Sequence, residues 1–161
     1  MMKIYFELNG EPVYTEIKPG EMLLDLLRRL GMKSVKEGCR TGECGACTVL
    51  LDGKPIRSCL TFAAKAKGHR ITTLEGLGTP EDPHPLQEAF LEAGAVQCGF
   101  CTPGMILVAY HLLSHNPDPS PDEVRAAISG NLCRCTGYVK IVDAVLTAAR
   151  WKREGKWRKE R

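Results

Sequence analysis

Residues 38–59 read GCRTGECGACTVLLDGKPIRSC, and the rest of the chain is best read outward from them. Four cysteines stand there as Cys39-x4-Cys44-x2-Cys47-x11-Cys59. This is the spacing of a plant-type [2Fe–2S] cluster, in which four thiolates hold two irons and two sulfides. Three of the four fall within nine residues, so the backbone must wrap tightly around whatever they bind. Gly38, Gly42 and Gly45 suit that wrapping, because glycine accepts positive φ and permits close approach. Exposed N–H groups can then donate to sulfur, which is one lever on reduction potential. A zinc site of four cysteines is the competing reading. Zinc usually sits between two short Cys-x2–4-Cys knuckles, which this stretch does not show cleanly.

The other four of the eight cysteines are Cys98-x2-Cys101 and, after 31 intervening residues, Cys133-x-Cys135. By spacing alone this second set fits zinc or an iron–sulfur centre. The neighbouring loop favours iron–sulfur, since a second cluster gives the first a redox neighbour. No cysteine is left over.

Composition sets the surroundings. The 161 residues are 43% apolar and 25% charged, the profile of an ordinary globular protein. That length suits two compact units, each small enough that metal ligation should support its stability. No apolar run approaches the length of a membrane span, and the opening MMKIYFELNG has no signal-peptide h-region. A cytoplasmic setting is expected, where clustered cysteines more often mean metal or redox chemistry than disulfides. The net charge of +3 is unevenly placed: residues 150–161 carry +5 and the other 149 residues carry −2. A basic tail with Trp151 and Trp157 raises nucleic acid as a partner. A solvated helix end or a segment docking on a protein is the preferred reading, since basic residues suit a helix C-terminus.

The pattern divides the chain. Residues 3–8 and 12–17 read as strands joined through Asn9-Gly10. A helix follows over Glu21–Leu30, with Met22, Leu23, Leu26, Leu27 and Leu30 as its core face and Gly31 as its stop. Thr48–Leu51 and Pro55–Ser58 flank Asp52-Gly53 as a second hairpin, and 70–74 make a last strand. Together these form an α+β, β-grasp-like unit over 1–75. Residues 76–85, rich in proline and glycine, read as a linker. Residues 86–150 change to helical period, with helices expected over Pro85–Ala93, from Thr102 to His115, from Ser120 to before Gly130, and over Tyr138–Arg150. Thr102 is the expected N-cap of the second, and Ser120-Pro-Asp-Glu a capping box for the third. Each cysteine pair precedes a threonine and a long apolar helix, so two helical hairpins should gather both pairs at one end. Residues 151–161 remain as the basic tail.

Other candidates carry less. His111 and His115 stand at i, i+4, a spacing that also suits an ordinary polar helix end. His69 and His84 read as loop residues, and Met105 as core. The Gly76-Leu-Gly78 pattern lacks the context of a nucleotide fingerprint. No arrangement for transforming a substrate is visible, so no catalytic residue is assigned.

Taken together, the 38–59 stretch, QCGFCTPGM (97–105) and GNLCRCTGY (130–138) closely resemble the small iron–sulfur subunit of the molybdenum hydroxylases. These include xanthine dehydrogenases, aldehyde oxidoreductases, carbon monoxide dehydrogenase, nicotinate-type hydroxylases and 4-hydroxybenzoyl-CoA reductase. The resemblance covers roughly residues 3–150. It implies an N-terminal plant-type ferredoxin-like domain and a C-terminal four-helix bundle, each with one [2Fe–2S] cluster. By that resemblance Cys39, Cys44, Cys47 and Cys59 ligate the first cluster, and Cys98, Cys101, Cys133 and Cys135 the second. Gln97 and Cys135 would contact a pterin. The partners implied are a large molybdenum–pyranopterin subunit and a medium FAD subunit, in a dimer of heterotrimers, with no nucleic acid and no membrane span. The expected role is electron relay between molybdenum–pyranopterin and FAD, within an oxidoreductase. A free-standing two-cluster ferredoxin and a zinc-stabilised interaction module are the alternatives.

Overall fold

A computed structural model describes residues 1–157. Strands β1 (Met2–Leu8) and β2 (Glu11–Ile17) form an antiparallel hairpin. Asn9 (φ 53°) and Gly10 (φ 85°) both take positive φ, as the turn joining two twisted strands requires. Asp52 (φ 49°) and Gly53 (φ 80°) repeat the device between β3 (Thr48–Leu51) and β4 (Lys54–Arg57). With β5 (Arg70–Thr72), the sheet runs β2-β1-β5-β3-β4. Only β1 and β5 are parallel, and that pairing brings distant parts of the chain together.

The period-two pattern of β1 buries Ile4, Phe6 and Leu8 on one face. Helix α1 (Leu23–Arg29) covers that face with Leu23, Leu24, Leu26 and Leu27, all fully buried. It is shorter than the expected Glu21–Leu30: Met22 is still extended and forms an isolated bridge with Phe62. Met22 keeps extended φ and ψ for that bridge while its C=O already accepts from Leu26 N–H, so it caps the helix instead of joining it.

Four α-helices follow: α2 (Pro85–Glu92), α3 (Thr102–His115), α4 (Pro121–Ile128) and α5 (Val139–Arg153). They share a second core that includes Phe90, Met105, Ile106, Val124, Ile141 and Val145. The Ser120 capping box of α4 is present as expected. Two starts differ from the sequence reading. Cys101, not Thr102, is the N-cap residue of α3, and Tyr138 in the left-handed region (φ 70°) precedes α5. Helix α5 also runs on to Arg153, so the first residues assigned to the basic tail are helical. Trp157 folds back beyond them: its Nε1–H donates to Ala148 O at 3.0 Å, and its ring meets His84 edge-on. The last four residues of that tail lie outside the described region.

The segment between the cores is tied down at both ends. Leu74–Gly76 form a 3-10 turn, and the Glu75 carboxylate accepts from Ser34 N–H at 2.9 Å. His84 caps α2, its Nδ1 accepting from Leu86 N–H at 3.1 Å. Helix α3 lies against β3 and β4, so the helical half leans on the end of the sheet that carries the first cysteine loop.

Candidate metal centres

The 39–47 loop is shaped around its sulfurs. Cys39 Sγ accepts from the N–H groups of Thr41 and Cys44, both at 3.4 Å. Cys44 Sγ accepts from those of Cys39 and Ala46, both at 3.5 Å. These contacts need a tight backbone: Arg40 (φ 56°), Gly42 (φ 83°) and Gly45 (φ 72°) are all left-handed. A Cβ at Gly38 would stand 2.7 Å from Cys44 Sγ. Arg40 anchors the outside of the loop, pairing with Asp25 of α1 at 2.7 Å and with Glu37 at 2.6 Å.

The thiols associate in twos. Cys39 is in hydrogen-bond contact with Cys44, and Cys59 with Cys47. Their electrostatics diverge accordingly. The Thr41 side chain, then the N–H groups of Cys44 and Thr41, hold the Cys39 thiol far below its usual range, at about 5. Burial, then Cys47, pushes Cys59 up to about 11.

The second set repeats this pairing across two loops. Cys98 meets Cys135, and Cys101 meets Cys133. Burial, then the Cys133 sulfur, pushes Cys101 up to about 12. Burial works against ionisation of Cys133 too, but the Thr136 hydroxyl and N–H outweigh it and lower its pKa. Thr136 Oγ1 lies 3.0 Å from that sulfur and also accepts from Tyr138 N–H at 3.2 Å. The Tyr138 hydroxyl accepts from Cys133 N–H at 3.0 Å. Thr136 thus serves the sulfur and the approach to α5 together, without being the cap.

All eight cysteines are free. Among the described residues no three Cys, His, Asp or Glu side chains are gathered to close on a single metal ion. Four thiols gathered at each site suit a two-iron core, where each iron takes two protein sulfurs. Soft thiolate donors with N–H groups aimed at them fit iron–sulfur chemistry.

The remaining candidates sort plainly. Gln97 is exposed, beside the exposed Cys98, with Cys135 exposed across from it. His111 and His115 make an ordinary helix end: Nδ1 of His111 bonds Gly53 O at 2.9 Å, and Nδ1 of His115 bonds His111 O at 2.8 Å. Met105 is core. His84, read as a loop residue, is a capping group packed between Tyr110 and Trp157.

Sequence reasoning missed the contact between the two centres. Leu132 N–H, one residue before Cys133, donates to Cys44 O at 2.9 Å. Buried Asn131 donates through Nδ2 to Gly45 O at 3.1 Å. Gly45, Gly104 and Gly130 allow the approach: a Cβ on Gly104 would meet Gly45 O at 2.7 Å, and one on Gly45 would meet Gly130 O at 2.6 Å. Glycines in all three cysteine-bearing segments were the available signal.

Comparison with known proteins agrees with this geometry. The 2Fe-2S iron-sulfur cluster binding domain matches residues 6–73, and the [2Fe-2S] binding domain matches residues 73–146. The chain is 56% identical over 143 residues to the nicotinate dehydrogenase small FeS subunit of Eubacterium barkeri, covering 88% of this chain and 91% of that one. It is 49% identical over 148 residues to the xanthine dehydrogenase iron-sulfur-binding subunit of Escherichia coli O157:H7, covering 90% and 92%. The crystal structure of quinoline 2-oxidoreductase from Pseudomonas putida 86 superposes with a TM-score of 0.91 at 48% identity, covering 96% of this chain and 97% of that one. The protein is therefore an electron carrier of the two-[2Fe–2S] class and a subunit of an oxidoreductase. Within that class, the chain belongs to the small iron–sulfur subunits of the molybdenum hydroxylases.

Proposed function

We propose that this subunit relays single electrons between a molybdenum–pyranopterin site on a large partner and FAD on a medium one. Cys98, Cys101, Cys133 and Cys135 hold the cluster on the pterin side; Cys39, Cys44, Cys47 and Cys59 hold the cluster on the flavin side. Each cluster supplies a one-electron couple. The residues around it fix its position and bias its potential through N–H···S bonds and burial.

The carrying observation is that the two cysteine-bearing regions meet, through the Leu132–Cys44 and Asn131–Gly45 hydrogen bonds, with N–H groups aimed at the sulfurs of Cys39, Cys44 and Cys133. Gln97 and Cys135 open to the outside of the chain, as contact with a cofactor on another subunit requires. Phe100, Leu132 and Val139 expose apolar surface around the same quartet. A docked partner accounts for such surface better than a free-standing ferredoxin does. Among the described residues no helix is long and apolar enough to cross a membrane.

The test is anaerobic purification of the tagged chain. About four irons and four sulfides per chain are expected, with two EPR signals on reduction. Larger flavin- and molybdenum-containing partners should copurify. Colourless protein with stoichiometric zinc would overturn the cluster assignment, and recovery solely as a free monomer would overturn the complex. Cys101→Ser should remove one signal and spare the other.

A further inference from the structure

We propose that Arg57 is a positioning residue for electron transfer between the two centres; this deepens the relay reading and rests on it. Arg57 is the last residue of β4 and is partly buried beneath the contact between the cysteine loops. Its guanidinium reaches three places at once. Nε donates to Gly42 O at 3.3 Å, inside the first cysteine loop. Nη1 donates to Thr48 Oγ1 at 2.8 Å, at the start of β3. Nη2 donates to Gly130 O at 2.5 Å, three residues before Cys133. Thr48 Oγ1 passes the connection on to Gly45 O at 2.7 Å, which also accepts from Asn131 Nδ2.

The acceptors are neutral carbonyl and hydroxyl oxygens on both cysteine-bearing loops. A planar fork of donors suits this task, and an ammonium does not, because only the fork can hold three directions in one rigid geometry. Gly130 leaves room for it: a Cβ there would stand 2.5 Å from Arg57 Nη2. The network straddles the Leu132–Cys44 hydrogen bond, binding Gly42 and Gly45 on one loop and Gly130 on the other. In the transfer itself, one centre loses one electron and the other gains it, and no covalent bond forms or breaks. Its rate depends steeply on how far apart and through what contact the two are held. Arg57 and Asn131 set that spacing.

The test uses the full chain loaded with its clusters, in wild type, Arg57→Met, Arg57→Lys and Asn131→Ala. EPR of the fully reduced protein reads the magnetic coupling between the two centres, which falls with the inverse cube of their separation. Rapid partial reduction reads the internal equilibration rate. Both signals should survive at full intensity in Arg57→Met, with the splitting lost and equilibration slowed. Arg57→Met also removes a positive charge beside the first loop and should lower that centre's reduction potential; Arg57→Lys keeps the charge, so it should hold the potential while still losing the splitting. That outcome separates positioning from a simple charge effect. Unchanged splitting and unchanged equilibration in Arg57→Met would overturn the proposal. Should that variant fail to fold or load, Asn131→Ala decides by the same two readings. Absence of a second signal in the wild type would instead sink the relay reading itself.

Discussion

Cys39 and Cys101 are chemically the same thiol placed at opposite electrostatic extremes. Cys39 is half-buried like Cys101 but receives the Thr41 side chain and two backbone N–H groups, which stabilise its thiolate and bring its pKa to about 5. Cys101 is partly buried at the head of α3, where loss of water disfavours the anion and its pKa rises to about 12. The thiolate is the nucleophile, so cluster-free protein should show this difference directly. Labelling of Cys39 by iodoacetamide should be nearly flat from pH 6 to 8 and fall as the pH drops through about 5. Cys101 should stay essentially unlabelled over the same range. Thr41→Val should move the midpoint only part of the way up toward an ordinary thiol near about 8.5, because the Thr41 and Cys44 N–H donors remain. Mass-spectrometric mapping of the alkylated sites checks it; equal labelling of Cys39 and Cys101 at pH 6 would contradict the contrast.

At the scale of elements, the start of α2 carries a pH dependence of its own. Nδ1 of His84 must be unprotonated to accept from Leu86 N–H, and burial, then Lys152, lowers its pKa to about 4. The unfolded chain would bind that proton near about 6.5. Between those values the unfolded state holds more protons than the folded one, so stability falls as the pH drops from about 6.5 to about 4 and levels off below. Discounted for the exposed part of the ring, the loss is on the order of 2 kcal/mol. His84→Asn keeps a capping oxygen and should flatten the dependence in thermal melts taken across that range. In α4 the capping box predicts a simpler cost: Ser120→Ala should destabilise by about 1 kcal/mol in denaturant melts.

These elements also show what the sequence made legible. Local chemistry read well: both Asn/Asp-Gly hairpins, the Gly31 stop and the Ser120 box are decided within a few residues, and each lies where expected. The spacing of Cys39, Cys44 and Cys47 is local in the same way, whereas Cys98–Cys101 and Cys133–Cys135 are separated by 31 intervening residues and their spacing alone left the second site open. The starts of α3 and α5 differ by local backbone geometry, and other differences arose where a distant partner decides. Met22 is drawn out of α1 by Phe62, and Trp157 is drawn back by Ala148 and His84. Arg57 and Asn131 look like ordinary polar residues until the fold brings Arg57 against its acceptor at Gly130, 73 positions further along the chain. No local pattern encodes that contact.

For the whole molecule, the consequence is that two cores with separate hydrophobic logic are joined through backbone contact around the cysteine loops. Gly104 tests this joint, because it lies in α3 with ordinary helical backbone and its lack of a side chain matters only for space. A Cβ there would stand 2.7 Å from Gly45 O and 2.9 Å from Asn131 Nδ2. Neither neighbour is free to give way: one is backbone in a left-handed turn, the other a buried amide already holding that turn. In an isolated helix, replacing glycine by alanine gains up to about 1 kcal/mol. Here overpacking, at about 1–3 kcal/mol, should outweigh that gain and give net destabilisation. The damage should also be directional. Each core keeps its own packing while the halves separate, so limited proteolysis should accelerate between residues 76 and 84, and the Leu132 amide should lose protection from hydrogen exchange. Ser114→Ala on the same helix, at an exposed position, should change stability by no more than about 0.5 kcal/mol. If Gly104→Ala instead melts higher with Leu132 still protected, helix propensity has won, and the close approach of the two loops is not what holds the halves together.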